Sequence, residues 1–113
     1  MILVLGGTSD SLEICDRINK YEDLPYTLSV TTSYGEDLAR KHAKNVITGK
    51  LTKEDMVRFI EKNNINKIID ATHPYAIEVS KNAIQCAKEL NIDYLRYERK
   101  SLIEDISYEN KYI

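Results

Sequence analysis

Met1-Ile2-Leu3-Val4-Leu5-Gly6-Gly7-Thr8-Ser9-Asp10 is the stretch that decides the fold. Its first five residues form an uninterrupted apolar run, as a strand buried on both faces requires, and the two glycines end it where the chain must turn sharply. Leu12, Cys15 and Ile18 then recur at helical spacing, so the chain opens with a strand, a glycine turn and a helix.

Outward from that unit the same alternation continues. Pro25 is expected to close the first helix, and Tyr26 to Thr32 alternates and β-branches as a second strand stopped by Ser33-Tyr34-Gly35. A short helix over Glu36 to His42 and a brief third strand over Asn45 to Thr48 follow. Thr52 with Asp55 forms a capping box that opens a helix through about Asn63, with Met56, Val57 and Ile60 inward. Lys67 to Ala71 reads as the fourth strand. Pro74 at a first helical position then sets the next helix start, with His73 near its N-cap. Ala76, Ile77, Ser80, Ala83, Ile84, Ala87 and Leu90 share the face of that helix, and Asp93 to Arg96 is the fifth strand. Five short strands separated by four helices imply an α/β fold, a doubly wound, five-stranded parallel sheet with expected order 3-2-1-4-5. Ligands bind such sheets at the carboxyl ends of the strands where the order reverses, here between the first and fourth strands. The loops at 6–10 and 72–75 should therefore face one crevice.

The chain has 113 residues, 42% hydrophobic and 30% charged, enough for one core but too few for two. Residues 1–96 are expected to form the domain, with 97–113 a charged extension of no clear period. Sixteen basic against eighteen acidic side chains leave a formal charge of −2 in a well-mixed pattern, which advertises neither a nucleic-acid nor a membrane surface. No apolar run reaches the length of a signal-peptide core or a membrane span, so a cytoplasmic location is expected. Cys15 and Cys86 lie far apart among apolar neighbours without metal-ligand spacing, and read as buried free thiols.

Gly6-Gly7-Thr8-Ser9 lies where missing side chains let backbone N–H groups reach a phosphate at a helix N-terminus, with two hydroxyls as further donors. It departs from G-x-G-x-x-G, and a tight turn with Ser9 or Asp10 capping the helix accounts for it equally well. At the end of the second strand, Thr31, Thr32, Ser33 and Tyr34 stand where an NAD site wants a carboxylate. Hydroxyls tilt the choice toward NADPH, although Glu36 is close enough to be that acid, no Arg is at hand to clamp a phosphate, and a polar turn is the plainer alternative. Asp70-Ala71-Thr72-His73-Pro74-Tyr75-Ala76 is the most informative stretch, placing a carboxylate, a hydroxyl, an imidazole and a phenol at one strand end. His73 has the chemistry to donate to a ligand carbonyl or carboxylate, or to act as a general acid, and Tyr75 to stack on a planar ring; a helix cap is the competing role for His73. Asp70 has two readings, a bond to the backbone at its strand end or a ligand contact. Arg96 and Arg99 either meet an acidic substrate or form an ordinary exposed pair. His42 reads as solvated, and Tyr94, Tyr108 and Tyr112 as packing area or interface cover.

With these residues laid out, the chain resembles the precorrin-6A reductase family of cobalamin biosynthesis. The resemblance runs nearly end to end, carried by Gly-Gly-Thr-Ser-Asp (6–10), Thr-Ser-Tyr-Gly-Glu (32–36), Ile-Thr-Gly-Lys-Leu (47–51), Asp-Ala-Thr-His-Pro-Tyr-Ala (70–76) and Tyr-Leu-Arg-Tyr-Glu-Arg (94–99). It implies an oxidoreductase passing hydride from NADPH or NADH to ring carbon C19 of precorrin-6A or cobalt-precorrin-6A, in a cleft between two Rossmann-like halves. Carried over by position, Gly6, Gly7, Thr8 and Ser9 would hold the cofactor, Ser33, Tyr34 and Gly35 its ribose side, and His73, Pro74, Tyr75 and Arg96 the cleft; no metal is implied. Family members are about twice this length, so the chain is expected to be an N-terminal half that needs its C-terminal half for catalysis and is inactive alone. Its exposed face is a candidate for self-association. A stand-alone nucleotide-binding or regulatory module without catalysis is the alternative.

Overall fold

The computed structural model describes residues 1–21 and 23–98. Five strands, β1 (Ile2–Leu5), β2 (Tyr26–Val30), β3 (Val46–Thr48), β4 (Lys67–Asp70) and β5 (Asp93–Arg96), pair in parallel in the order β3-β2-β1-β4-β5, as the alternation predicts. Four helices connect them: α1 (Ser9–Ile18), α2 (Ser33–Ala39), α3 (Lys53–Lys62) and α4 (Ile77–Leu90). Alternate residues of a strand point to opposite faces, and β1 shows the consequence. Leu3 and Leu5 pack with Met56 and Ile60 of α3 and Ala83, Cys86 and Ala87 of α4. Val4 packs on the other face with Cys15 and Ile18 of α1 and Ala39 of α2. Both layers need β1 apolar throughout, which is why its run has no polar gap.

Several boundaries differ from the sequence reading, each for a local reason. Helix α1 stops at Ile18 with Asn19 as its C-cap, and Pro25 instead leads into β2, its carbonyl accepting from Ile2 N at 3.0 Å. All five residues of β2 are buried, so its polar members alternate in sequence but not in burial, and Thr31 and Thr32 lie beyond it. The Thr32 hydroxyl accepts from Gly35 N at 3.0 Å and starts α2 three residues early, so Ser33, Tyr34 and Gly35 form its first turn and the helix ends at Ala39, not His42. Helix α3 follows its sequence reading closely, with the Thr52–Asp55 capping box closed on both sides.

Helix α4 is the largest departure. Pro74 is not at its first position and His73 does not cap it: residues 73–76 close a turn through Ala76 N to His73 O at 2.9 Å, and the helix begins at Ile77 without a side-chain cap. Its buried face carries Ala83, Cys86 and Ala87, whereas Ile77 and Ile84, read as core, are 70% and 38% exposed. Asn91 at φ 55° ends the helix in the left-handed region. Arg99, Tyr108, Tyr112 and most of the expected 97–113 extension lie outside the described residues.

Gly6 is held by packing, not by torsion. A Cβ there would come within 2.7 Å of Leu28 Cδ1 and 2.9 Å of Ser11 Oγ, both on fully buried side chains. Gly6→Ala is therefore expected to destabilise the chain by about 1–3 kcal/mol, measured as a lowered denaturation midpoint at unchanged slope.

Candidate functional site at the carboxyl edge of the sheet

The loops at the carboxyl ends of β1 and β4 touch. Thr8, not Ser9 or Asp10, caps α1: its hydroxyl accepts from Ser11 N at 3.1 Å and donates to Ala71 O at 2.6 Å. That last bond ties the glycine loop to the end of β4 and forms the floor of the expected crevice. It also commits the Thr8 hydroxyl internally, whereas Ser9 beside it is exposed. Gly7 has φ 98°, and a Cβ there would meet nothing within 4 Å, so the loop faces open space in a conformation that glycine adopts without strain. A cleft of about 340 Å³ opens above it, lined by Gly7, Thr8, Ser9, Thr31, Thr32, Tyr34 and Gly35 among others. Gly6 and Ser33 are not in its walls.

The hydroxyl-rich end of β2 carries no available acid at Glu36. Its carboxylate accepts from Thr48 Oγ1 at 2.7 Å and from Arg40 Nε at 2.9 Å and Nη2 at 2.6 Å; these contacts hold it below the usual carboxylate range. Arg40 is spent in the same pair, so the cleft is lined by neither a carboxylate nor a guanidinium among the described residues. Tyr34 is 82% exposed at its rim.

At the end of β4, Asp70 is wholly buried and accepts five hydrogen bonds. Thr72 N (3.1 Å), Thr72 Oγ1 (2.6 Å) and Arg96 Nη1 (2.9 Å) meet one carboxylate oxygen, and Ser80 Oγ (2.6 Å) and Tyr94 OH (2.6 Å) meet the other. Burial alone would raise its pKa, but the hydroxyls of Ser80, Thr72 and Tyr94 with the Thr72 N–H outweigh burial and hold it below the usual value. The phenol of Tyr94 is pushed up in turn, by burial and then by its bond to Asp70. Asp70 thus bonds the backbone at its strand end, one of its two expected roles, and does much more. Ser80 and the Tyr94 hydroxyl escaped the sequence reading because α4 and the Asp70–Arg96 strand register, not local spacing, bring them there. Arg96 donates also to Thr72 Oγ1 at 3.0 Å and to Glu98 Oε1 at 2.9 Å, so its guanidinium braces the loop.

His73 and Tyr75 project from the turn held by this hub, both exposed, with ring centroids 5.0 Å apart at 31°. Tyr75 N donates to His73 Nδ1 at 3.2 Å, which leaves the neutral ring's proton on Nε2 as an outward donor. Pro74 is exposed between them. Elsewhere, His42 is not simply solvated: its Nδ1 lies 2.9 Å from Asp16 Oδ1 and its carbonyl accepts from Asn19 Nδ2. Cys15 and Cys86 are buried and free as read, and burial pushes the Cys15 thiol up to about 11, which disarms it as a nucleophile. Among the described residues no cluster of three metal-ligating side chains occurs, and no helix is long and apolar enough to cross a membrane.

Comparison with known proteins joins this edge to a family. The sequence model described as precorrin-6x reductase CbiJ/CobK matches residues 1–112. A cobalt-precorrin-6A reductase of Methanocaldococcus jannaschii is 46% identical over 109 residues, covering 96% of this chain and 43% of that protein. One from Priestia megaterium is 44% identical over 111 residues, covering 97% of this chain and 42% of that protein. The chain thus spans about two fifths of the length of these relatives. Among solved structures, a CobK precorrin-6A reductase superposes with TM-score 0.74 at 22% identity over 88% of this chain and 37% of its own. Apo saccharopine dehydrogenase of Saccharomyces cerevisiae superposes with TM-score 0.70 at 15% identity over 94% of this chain and 23% of its own. At such identities both support the fold alone.

The Asp70 hub has a measurable signature. Asp70→Asn should cost roughly 3 kcal/mol, the low end for breaking a buried ion pair because Arg96 regains some water. A carboxylate whose pKa is lowered by folding stabilises fully above its unfolded value of 3.8 and loses that contribution as pH falls through the folded value. Denaturation from pH 7 down to pH 3 should therefore show the wild-type advantage over Asp70→Asn constant above about pH 5 and shrinking below about pH 4.

Proposed function

Because the chain belongs to the precorrin-6x reductase CbiJ/CobK family, we propose that it is the N-terminal, cofactor-side part of an oxidoreductase that reduces precorrin-6A or cobalt-precorrin-6A with NADPH or NADH in cobalamin biosynthesis. The observation that carries the reading is the bond from Thr8 Oγ1 to Ala71 O, which sets the glycine loop and the His73–Tyr75 turn on one floor. On this reading residues 1–96 are a Rossmann-like domain. The chain past 96 leads to a second part that closes the cleft from above and without which turnover is not expected. The protein acts in the cytoplasm.

The residues present fit a dinucleotide. Gly7 leaves room above the loop, and Gly7, Thr8 and Ser9 line the cleft at the N-terminus of α1, a setting that favours a diphosphate, with the hydroxyl of Ser9 beside it. A bound reduced nicotinamide would supply the hydride. The chain's own share is positional. Thr8 and Asp70 fix the two loops relative to each other, Tyr34 covers the ribose side, and His73 Nε2 is placed to donate to a carboxylate of the acidic tetrapyrrole. The exposed ring of Tyr75, tilted by 31° from that of His73, offers the flat ring system an aromatic face at the sheet edge. Arg96, expected to line the cleft, also braces Thr72.

Two measurements test this. With neither an acid nor a base lining the ribose cleft, NADH and NADPH should bind the chain with affinities within about tenfold of each other, and Tyr34→Ala should weaken both roughly three- to tenfold without changing stability. Unchanged isotherms for Tyr34→Ala would remove the cleft from the site. For the reaction, a polypeptide carrying this chain joined to the remaining length of its relatives should consume reduced nicotinamide only when the tetrapyrrole is added. Dinucleotide binding without such consumption would instead leave a binding module.

A further inference from the structure

β5 is an outer strand of the sheet, and among the described residues no strand pairs with its free side. Asp93 N donates to Asn66 O and Tyr97 N to Asp70 O, so residues 93, 95 and 97 turn their backbone groups toward β4. By alternation the N–H and C=O groups of Tyr94 and Arg96 point outward, a template for one further strand. The other outer strand, β3, is three residues long and flanked by Lys44 and Lys50, charges that discourage pairing. β5 carries neither lysine nor proline, and its register with β4 is unbroken over its four residues. We propose that β5 is the contact through which two copies of this chain form a twofold dimer, each β5 pairing antiparallel with the partner's so that the two five-stranded sheets become continuous.

The side chains favour a second copy as the occupant, and they fix the axis at Leu95. Leu28, Val4, Ile69 and Leu95 lie side by side across the sheet. The layer of α1 and α2 buries Leu28 and Val4, Ile69 is half-buried, and Leu95 is 53% exposed, so an apolar row runs out into solvent at the edge. An axis at Leu95 continues that row into the same row of the partner. It also sets Tyr94 opposite the partner's Arg96, both with outward backbone groups, so the two residues exchange hydrogen bonds in both directions, while the two Leu95 side chains form the closely spaced kind of pair. Charge excludes the neighbouring registers. An axis at Asp93 or at Arg96 would set like charges directly opposite, and one at Tyr94 would set Asp93 against the partner's Leu95. With the axis at Leu95 no like charges face each other, and Asp93 stands beside the partner's Tyr97, whose phenol is a donor for its carboxylate. Antiparallel strands direct the two carboxyl edges opposite ways, so both candidate sites stay open and the dimer is independent of the cofactor reading.

Sedimentation equilibrium of the 113-residue chain from about 1 to about 500 µM tests this. A contact built on one short strand per copy is small, and a Kd on the order of 10–100 µM is expected. Leu95→Asp sets two carboxylates face to face and should raise the Kd at least about tenfold, with an unchanged circular dichroism spectrum because the side chain is exposed. Register is read by cross-linking, since Cys15 and Cys86 are buried and do not compete. Opposed Cα atoms about 4.5 Å apart are within disulfide range, so Leu95→Cys should join two chains on mild oxidation. Asp93→Cys should not, because the two copies of residue 93 would be about 13 Å apart along the strands. A chain that stays monomeric at 500 µM overturns the proposal, as does a dimer that Leu95→Asp leaves intact, or cross-linking at 93 as readily as at 95. Should Leu95→Asp unfold the chain, the two cysteine variants decide.

Discussion

The buried carboxylate of Asp70 is the constraint on which the rest of the edge depends. An ion taken out of water costs several kcal/mol, and here five hydrogen bonds, one of them from the Arg96 guanidinium, offset that cost. Its partners come from β5, from α4 and from the loop between β4 and α4, so one side chain locks three elements that hydrophobic packing alone would leave free to slide. Because Ala71, the next residue, accepts from Thr8, the lock extends to the glycine loop. The site is rigid at its floor for an electrostatic reason, while the packed layers on either side supply stability without fixing these loops.

Much of the fold was legible because its signals are local. The apolar run of β1, the Thr52–Asp55 capping box and the Asp93–Arg96 strand each carry their reading within a few residues. What failed was also local, but ambiguous. Pro74 suits a first helical position and suits a turn equally well, and the hydrogen bond from Ala76 N to His73 O decides for the turn. Thr32 looked like the tail of a strand because its side chain is β-branched, yet its hydroxyl does more as a cap on Gly35. Apolar identity does not equal burial on α4: Ile77 and Ile84 look outward and the smaller Ala83 and Cys86 pack inward against the sheet.

For the candidate site, the sequence identified the loops but not the allocation of their polar groups. Thr8, Glu36 and Arg96 each looked available to a ligand, and each has its polar group committed to the protein itself. Such partnerships are invisible in one dimension because they join residues 63, 12 and 26 positions apart. Once they are subtracted, the exposed groups left at this edge are the hydroxyl of Ser9, the imidazole of His73 and the rings of Tyr34 and Tyr75.

That remainder bears on how the edge works. Tyr34, Tyr75 and Ile77 are 82%, 85% and 70% exposed at the carboxyl edge, the most exposed large hydrophobic side chains among the described residues. A floor locked by Asp70 beneath an uncovered aromatic rim encloses a ligand from one side only, so on the proposed reading the domain would orient a dinucleotide while burying little of it. On that proposed reading, exclusion of water from the hydride transfer would have to come from whatever closes over the rim. The chain spans about two fifths of its relatives' length, which on the proposed reading leaves the remaining length to complete the enclosure.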